Sequence, residues 1–290
     1  MTEATVAPAL AAPLVAVMQF PGGNCEWETA RALQASGCRA ELFRWNRDPD
    51  DLEGFDAVVI GGGFSYQDRV RAGVIAAHEP IGARLVDLAH EGTPILGICN
   101  GAQILVEMGL VPGLNRDQVE MALAPNQMVR GGQVVRRDYY CIWTFLRLGC
   151  APQRCAWTRG FAPGAVLALP MAHGEGRFVA ADTGLYDTLF ANDQVAWQYC
   201  DAEGRVDEEF PITPNGSARA MAGLCNPAGN VLALMPHPER ASWLRQVPQD
   251  LPGAFGARRR AAQGDFAALE GPGPARPIFE SLAASPAASV

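Results

Sequence analysis

The sequence predicts an α/β fold: a doubly wound, mainly parallel sheet with helices on both faces. Short apolar runs such as Ala57–Ile60 and Ile95–Ile98 indicate strands buried on both faces, which is typical of parallel sheets. Segments with helical patterns alternate with these runs, as they do in βαβ units. Ligands of such sheets bind at the carboxyl ends of the strands, so the loops that follow the apolar runs are the first candidates for a functional site.

The N-terminal half supplies most of this alternation. Its first helix is expected to have Asn24 as the N-cap and to end at about Ser36, before Gly37. A second helix is predicted over Ile81–Glu91, started near Pro80. The strands predicted in this half are Leu14–Phe20, Glu41–Trp45, Ala57–Ile60 and Ile95–Ile98.

The C-terminal half has few helical patterns, and its strands are expected to extend the sheet in antiparallel fashion. Leu110–Met128 shows no clear period. Asn226–Asn230 has the composition of a hairpin turn and precedes a predicted strand, Val231–Met235. The other strands predicted in this half are Gln133–Arg137, Tyr140–Phe145, Ala165–Leu169, Val195–Tyr199 and Ala220–Leu224.

The predicted organisation is one main domain, residues 14–243, between two less regular ends. Residues 1–13 are rich in Ala, Pro and Thr and lack Lys and Arg, which predicts a disordered leader rather than a signal peptide. Residues 244–277 change composition and are predicted to be an insertion or loop region. Their basic run, Arg258–Arg260, is interpreted as solvated surface, with an anionic partner as the alternative. The last residues, Ala283–Val290, are small and are expected to form a frayed tail.

Composition narrows the class of protein. The chain has 290 residues, is 49% hydrophobic and carries a net charge of −8, which argues against nucleic acid or an anionic membrane surface as the main partner. No apolar run reaches the roughly 18 residues of a membrane span. None of the eight cysteines forms a Cys-x-x-Cys pair, so we predict reduced thiols, no zinc site and a cytoplasmic location.

The segment Gly97–Gly101 has the form Gly-x-Cys-x-Gly between a predicted buried strand and a predicted helix, Ala102–Met108. This is the thiol version of the nucleophile elbow. A glycine on each side lets neighbouring backbone pass the tight turn, and the helix N-terminus favours a thiolate at Cys99. The next backbone N–H, on Asn100, points where an oxyanion would form. The alternative is a buried core thiol.

Two His-x-Glu pairs compete for the role of general base. His237 and Glu239 follow the last predicted strand, and an extended chain would put both side chains on the same side. An imidazole beside a carboxylate is the base and orienter that a thiol nucleophile needs, although such a pair can also be a surface contact. His173 and Glu175 form a second pair, which we rank lower because Gly174 makes its spacing flexible.

Two other loops follow predicted strands. Gly61–Gly63 lacks the spacing of a phosphate-binding loop. We therefore interpret it as a loop that brings a backbone N–H close to a reacting carbonyl. The alternative is a flexible turn. Cys25 lies in the loop after the first strand. Nothing near it in sequence would act as its base, so we interpret it as structural.

Together these motifs resemble the class I (triad) glutamine amidotransferases, and most of all the family of glutaminase subunits of phosphoribosylformylglycinamidine synthase. The chain departs from the family in three places. It has Gly61 where the family usually has Pro, and Gln67 where the family usually has Gly. It also has the long segment 244–277. The matching segments are Phe20–Cys25, Gly62–Tyr66 with Asp68 and Arg71, Gly97–Gly101 with Gln103–Leu105, Ala172–Arg177, Pro214–Ser217, Met235–Arg240 and Ile278–Leu282.

The resemblance implies a flavodoxin-like sheet and a closing helix within residues 278–290. It also implies hydrolysis of L-glutamine to glutamate and ammonia through a thioester on Cys99. His237 would act as the base, and Glu239 would orient it. The implied site comprises the catalytic residues Cys99, His237 and Glu239 and the oxyanion or substrate residues Gly63, Asn100 and Gln103.

The resemblance also implies partners. The ammonia would pass to a synthase subunit that converts formylglycinamide ribonucleotide to formylglycinamidine ribonucleotide in purine biosynthesis, and a small bridging subunit is expected. The sequence contains no ATP-binding loop, so ATP and Mg²⁺ are expected on the synthase subunit, with no cofactor or metal in this chain. The alternatives are an amidotransferase for another acceptor and a non-catalytic regulatory module on the same fold.

Overall fold

The computed structural model describes residues 12–116 and 118–283, so most of the predicted leader and the end of the predicted tail lie outside the described residues. None of the helices in these ranges is long and apolar enough to cross a membrane. The strands are β1 (Leu14–Gln19), β2 (Arg39–Arg44), β3 (Ala57–Ile60), β4 (Ile95–Ile98), β5 (Ala122–Pro125), β6 (Gln127–Arg130), β7 (Gln133–Arg137), β8 (Tyr140–Leu148), β9 (Val166–His173), β10 (Glu175–Val179), β11 (Val195–Cys200), β12 (Met221–Cys225) and β13 (Val231–Leu234). The helices are α1 (Glu26–Ala35), α2 (Val74–Ala77), α3 (Pro80–His90), α4 (Asn100–Glu107), α5 (Gly184–Ala191), α6 (Gly253–Ala261), α7 (Phe266–Leu269) and α8 (Arg276–Ala283).

A nine-stranded sheet in the order β2-β1-β3-β4-β13-β12-β11-β8-β9 carries the fold. The pairs from β2 to β13 are parallel, and the pairs from β13 to β9 are antiparallel. The predicted parallel core with antiparallel strands added in the C-terminal half is therefore confirmed. Strands β3, β4 and β13 are buried along their whole length, which explains their uninterrupted apolar sequences.

The order of the strands places helices on both faces of the parallel half. Helix α1 connects β1 to β2 in one direction along the sheet, and α3 connects β3 to β4 in the opposite direction. Because such crossovers are right-handed, helices that step in opposite directions lie on opposite faces. The direction reverses between β1 and β3, and a crevice opens at the carboxyl ends of strands at such a switch point.

The first helix begins differently from the prediction. Its N-cap is Cys25, with no side-chain capping bond, and helical structure starts at Glu26. Asn24 lies one residue before the cap, where its backbone N–H donates to the carbonyl oxygen of Gly62 at 3.2 Å in a strand-like contact between the loops after β1 and β3. The amide oxygen of Asn24 instead accepts a hydrogen bond from the Cys25 thiol at 3.0 Å.

Several short elements were not predicted. Strands β5, β6 and β10 were missed, whereas β7 has the bounds predicted from the sequence, Gln133–Arg137. Strand β5 pairs with β10, and β6 pairs with β7, in two small antiparallel sheets outside the main sheet. The stretch Leu110–Met128 has no clear period because both β5 and the start of β6 fall in its last third, where strand residues alternate only weakly between buried and exposed. Helix α5 was also missed.

Residues 244–277 pack on the main sheet and include helices α6 and α7. Leu244, Val247, Leu251 and Ala262 form a second hydrophobic cluster with Ala168 of β9. The arginine run lies in the last turn of α6, where positive charge is favourable, and two of its guanidinium groups donate to backbone carbonyls of the same segment. The closing helix α8 follows and begins at Arg276.

Glycines set the geometry of the turn between β4 and α4. A Cβ atom on Gly97 would lie 2.5 Å from the carbonyl oxygen of Gly101, and one on Gly101 would overlap the carbonyl oxygen of Ile60 in β3. The turn therefore packs against the neighbouring strand with no room for a side chain. The expectation that backbone passes close on both sides of Cys99 agrees with these contacts.

We expect Gly101→Ala to lower the free energy of unfolding by about 1–3 kcal/mol, because backbone must shift to make room for the methyl group. Urea unfolding followed by circular dichroism measures the effect. Gly54→Ala is the matched control, since a Cβ atom there meets nothing within 4 Å. Equal unfolding midpoints for the two variants would contradict the close approach at Gly101.

Candidate active site

The loops after four adjacent parallel strands converge on a pocket of about 210 Å³. Asn24 reaches it from the loop after β1, and Gly63 from the loop after β3. Cys99 follows β4, and His237 follows β13. The pocket therefore lies where a doubly wound sheet binds its ligands, and it holds the nucleophile and the base predicted from the sequence.

Cys99 occupies the turn as a nucleophile-elbow residue does. Its backbone dihedrals are φ 52° and ψ −104°, outside the regions that side-chain-bearing residues normally adopt. The turn is held because the Cys99 N–H donates to the carbonyl oxygen of Leu234 at 2.8 Å. The buried sulfur lies at the N-terminus of α4 and 3.8 Å from the carbonyl oxygen of Ala172.

His237 and Glu239 are both buried and in direct contact, with 2.5 Å between Nδ1 and Oε1. The local geometry differs from the extended chain that we expected: Pro238–Ala241 is a 3-10 turn, and only His237 is extended. The turn brings the carboxylate back to the ring. The His237 N–H donates to the carbonyl oxygen of Pro170 in β9 at 2.8 Å, which fixes the backbone on the other side of the pocket.

The charge on His237 depends on these neighbours. Burial on its own would lower the pKa of the ring, but the Glu239 carboxylate and the sulfur of Cys99 raise the pKa of His237 well above its ordinary value. Within the described residues Nε2 has no hydrogen-bond partner. The arrangement is that of an imidazole whose Nδ1–H is donated to a carboxylate and whose Nε2 is left for a reacting group.

The two candidate oxyanion donors are backbone amides. Gly63 pairs with Gly23 at the non-hydrogen-bonded position of a short antiparallel bridge, so the bridge does not use its N–H. A Cβ atom on Gly63 would lie 2.7 Å from the Cα atom of Gly23, so the position requires glycine. Asn100 is the first residue of α4, where the N–H has no acceptor within the helix.

The side chains of Asn100 and Gln103 are tied to the surrounding loops. Oδ1 of Asn100 accepts a hydrogen bond from the N–H of Ser65 at 3.1 Å, and its Nδ2 donates to Oε1 of Gln103 at 2.9 Å. Nε2 of Gln103 donates to the carbonyl oxygen of Glu175 at 2.6 Å. Gln103 lines the pocket, but these bonds make it a link between α4 and the loop that carries Glu175.

Cys25 contacts the same imidazole, which the sequence did not reveal. Its sulfur lies 4.0 Å from Nδ1 of His237 and accepts a hydrogen bond from Nη2 of Arg240 at 3.2 Å. Burial raises the pKa of Cys25 to about 11, so it is a neutral thiol at neutral pH. The missing side chain of Gly62 makes the contact possible, since a Cβ atom there would lie 2.6 Å from the His237 ring. The sequence signal that could have indicated this contact is the pair Gly62 and Gly63 after β3, which leaves room beside Cys25 in the loop after β1.

One group among the described residues has the geometry to hold a metal ion. The ligand atoms of Cys25, His237 and Glu239 lie within 4.8 Å of one another. Sulfur, nitrogen and carboxylate oxygen are the donors that zinc uses. In the structure, however, the nitrogen concerned is already engaged by the carboxylate of Glu239.

His173 lies on the opposite wall and has a different partner from the one predicted. Its Nδ1 lies 3.1 Å from Oδ1 of Asn126, so the ring is paired with an amide and not with the carboxylate of Glu175. Burial, with a smaller effect from the charge on His237, lowers the pKa of His173 to about 3. The second His-x-Glu pair therefore lacks the contact that makes the first a base with its orienter.

Comparison with known proteins gives one consistent family. A family model for the CobB/CobQ-like glutamine amidotransferase domain matches residues 12–253. The phosphoribosylformylglycinamidine synthase subunit PurQ of Methanothrix thermoacetophila is 48% identical over 268 residues, which cover 92% of this chain and 96% of that protein. The PurQ subunit of Chlorobium chlorochromatii is 41% identical over 233 residues, which cover 80% of this chain and 90% of that protein.

A solved structure agrees with these matches. The structure of PurLQS from Thermotoga maritima contains a chain that superposes with a TM-score of 0.64 at 30% identity, covering 93% of this chain and 97% of that one. By the extent and identity of these matches, the chain belongs to the CobB/CobQ-like glutamine amidotransferase family and, within it, to the PurQ subunits of phosphoribosylformylglycinamidine synthase.

Proposed function

We propose that this chain hydrolyses L-glutamine and supplies the ammonia to a synthase subunit that makes formylglycinamidine ribonucleotide. The single observation that carries the proposal is the convergence of Cys99 with the His237–Glu239 pair on one pocket in a member of this family. A thiol in an elbow, an imidazole and an orienting carboxylate are the groups that acyl transfer through a thioester requires.

In the first half of the reaction the Cys99 thiolate attacks the carboxamide carbon of glutamine and forms a carbon–sulfur bond. The oxygen of the tetrahedral intermediate is held by the N–H groups of Gly63 and Asn100. Removal of one such donor typically lowers kcat by about 10²–10³-fold. As the intermediate collapses, the carbon–nitrogen bond breaks. His237 gives its proton to the departing nitrogen, which leaves as ammonia.

In the second half a water molecule resolves the thioester. His237, now neutral, takes a proton from the water as its oxygen attacks the acyl carbon. The carbon–sulfur bond then breaks, glutamate leaves, and the thiolate and imidazolium are restored. Glu239 stays ionised throughout and holds the ring with Nδ1–H directed at its carboxylate. We assign Gln103 the role of holding the pocket wall through Glu175.

The proposal extends to partners and location. Ammonia must reach an acceptor, so we propose a synthase subunit that carries ATP and Mg²⁺, with a small bridging subunit and no cofactor in this chain. A structure of the related PurLQS from Thermotoga maritima supports an assembly of this kind. All eight cysteines are free, which supports a reducing, cytoplasmic location.

We expect Cys99→Ala to lower glutamine-dependent synthesis by about 10⁴-fold or more, because no thioester can form. Synthesis from added ammonium chloride should persist when the synthase subunit is present. Cys141→Ala, which removes an exposed thiol, is the matched control. Loss of both activities in Cys99→Ala would contradict the proposed role of Cys99, and full glutamine-dependent activity would mean that Cys99 is not the nucleophile.

We expect His237→Ala to lower kcat for glutamine hydrolysis by about 10²–10⁴-fold, the range for loss of a general acid and base. His173→Ala should have a smaller effect, because its ring has no carboxylate partner. Steady-state glutaminase assays with and without the synthase subunit measure both. Equal losses in the two variants would mean that the base has been assigned to the wrong histidine.

The next prediction concerns the pKa of His237 and the pH dependence of stability. Because Glu239 raises the pKa of His237, Glu239→Gln should lower it, which nitrogen NMR titration of the chain's four histidines can follow. A folded pKa above the unfolded value means that protonated His237 stabilises the fold at low pH. That contribution is lost as the pH rises through the folded pKa, and the loss should be smaller in Glu239→Gln. The exposed Glu280→Gln serves as control, and an unchanged His237 titration in Glu239→Gln would refute the coupling.

A further inference from the structure

The hydrogen-bond network around His173 fixes which ring nitrogen carries a hydrogen. Nδ2 of Asn126 donates to two backbone carbonyl oxygens, that of His173 itself at 2.7 Å and that of Asp138 at 3.2 Å. A carbonyl oxygen can only accept, so the NH₂ group of Asn126 faces these two and its Oδ1 faces the His173 ring. Oδ1 also only accepts. Nδ1 of His173, 3.1 Å away, must therefore carry the hydrogen.

The other ring nitrogen, Nε2, consequently carries no hydrogen and can only accept a hydrogen bond. Burial keeps the ring neutral, so it has a single N–H, which is the one on Nδ1. His173 is 3% exposed, and its Nε2 is without a hydrogen-bond partner in the part of the chain that the structure describes. A buried polar atom in this condition carries a desolvation cost unless a ligand supplies the missing bond.

The position of the ring suggests the substrate as the donor of the missing hydrogen bond to Nε2 of His173. His173 lines the same pocket as Cys99 and His237, and the carbonyl oxygen of the preceding residue, Ala172, lies 3.8 Å from the nucleophilic sulfur. The ring packs directly against the backbone of Gly176, where a Cβ atom would overlap Cε1 of the ring, and its Nδ1 is held by Asn126. The wall of the pocket thus contains a buried acceptor that has no partner among the described residues.

We propose that Nε2 of His173 accepts a hydrogen bond from the carboxamide NH₂ of the substrate and so makes His173 a determinant of amide specificity. This inference rests on the proposed glutaminase activity. The scissile amide is the group that must lie between Cys99 and His237, and its nitrogen has two N–H donors. The product carboxylate has acceptors only, so it meets the Nε2 lone pair unfavourably and is disfavoured relative to the substrate.

The test compares L-glutamine with the γ-methyl ester of L-glutamate, which lacks the NH₂ group and keeps the same ammonium and carboxylate. In His173→Leu the ratio of kcat/KM for the amide to kcat/KM for the ester should fall about three- to tenfold relative to the wild type. His173→Gln retains a side-chain oxygen as an acceptor and should keep most of the ratio. Differences in chemical reactivity between the two substrates cancel when variants are compared.

A second measurement does not depend on the folding of any variant. Nitrogen NMR of the wild-type protein at neutral pH should show His173 protonated at Nδ1 and not at Nε2, and a hydrogen on Nε2 would overturn the proposal. An unchanged amide-to-ester ratio in His173→Leu would refute this inference alone. No glutamine hydrolysis by the wild type together with its synthase subunit would refute the proposed function, and this inference with it.

Discussion

The hydrogen bond between His237 and Glu239 is the interaction on which the active site depends. A buried carboxylate needs charge-assisted partners, and here the imidazole provides one at 2.5 Å. The same bond settles the orientation of the ring and leaves Nε2 for the pocket. Residues outside the parallel core secure the pair, because Nε2 of Gln246 donates to the carbonyl oxygen of Glu239 at 3.2 Å. The segment that begins at residue 244 is therefore tied to the backbone of Glu239.

Two thiols lie close to this pair, and their surroundings separate their roles. Cys25 is fully buried behind the imidazole, hydrogen-bonded to Asn24 and Arg240, and burial raises its pKa to about 11. Cys99 lies at a helix N-terminus, in a turn with a positive φ, and lines the pocket. A substrate can reach only a sulfur that faces the pocket. The geometry thus favours Cys99 as the nucleophile and Cys25 as packing behind the base.

The sequence predicted what depends on local pattern and missed what depends on distant contacts. The bounds of β3 and β4 agree with the predicted runs Ala57–Ile60 and Ile95–Ile98, because uninterrupted apolar residues followed by glycine or cysteine turns leave little choice of register. Of the two small antiparallel sheets only β7 was predicted, as Gln133–Arg137. Strands β5, β6 and β10 were missed, and β5 pairs with β10 from a distant part of the chain, which no local pattern indicates. The contact between Cys25 and His237 joins residues 212 apart and follows from strand order, which no local pattern encodes.

The two halves of the sheet contribute different parts of one site. The parallel half carries Cys99 and His237, the proposed nucleophile and base, which follow the neighbouring strands β4 and β13. The antiparallel half ends at β9, far from them in strand order, yet Pro170 of β9 accepts the His237 N–H and His173 ends the same strand. These contacts show that the β9 edge of the sheet comes back to the pocket. Because one strand both accepts the His237 N–H and carries His173, a change in its position would move both histidines of the pocket together.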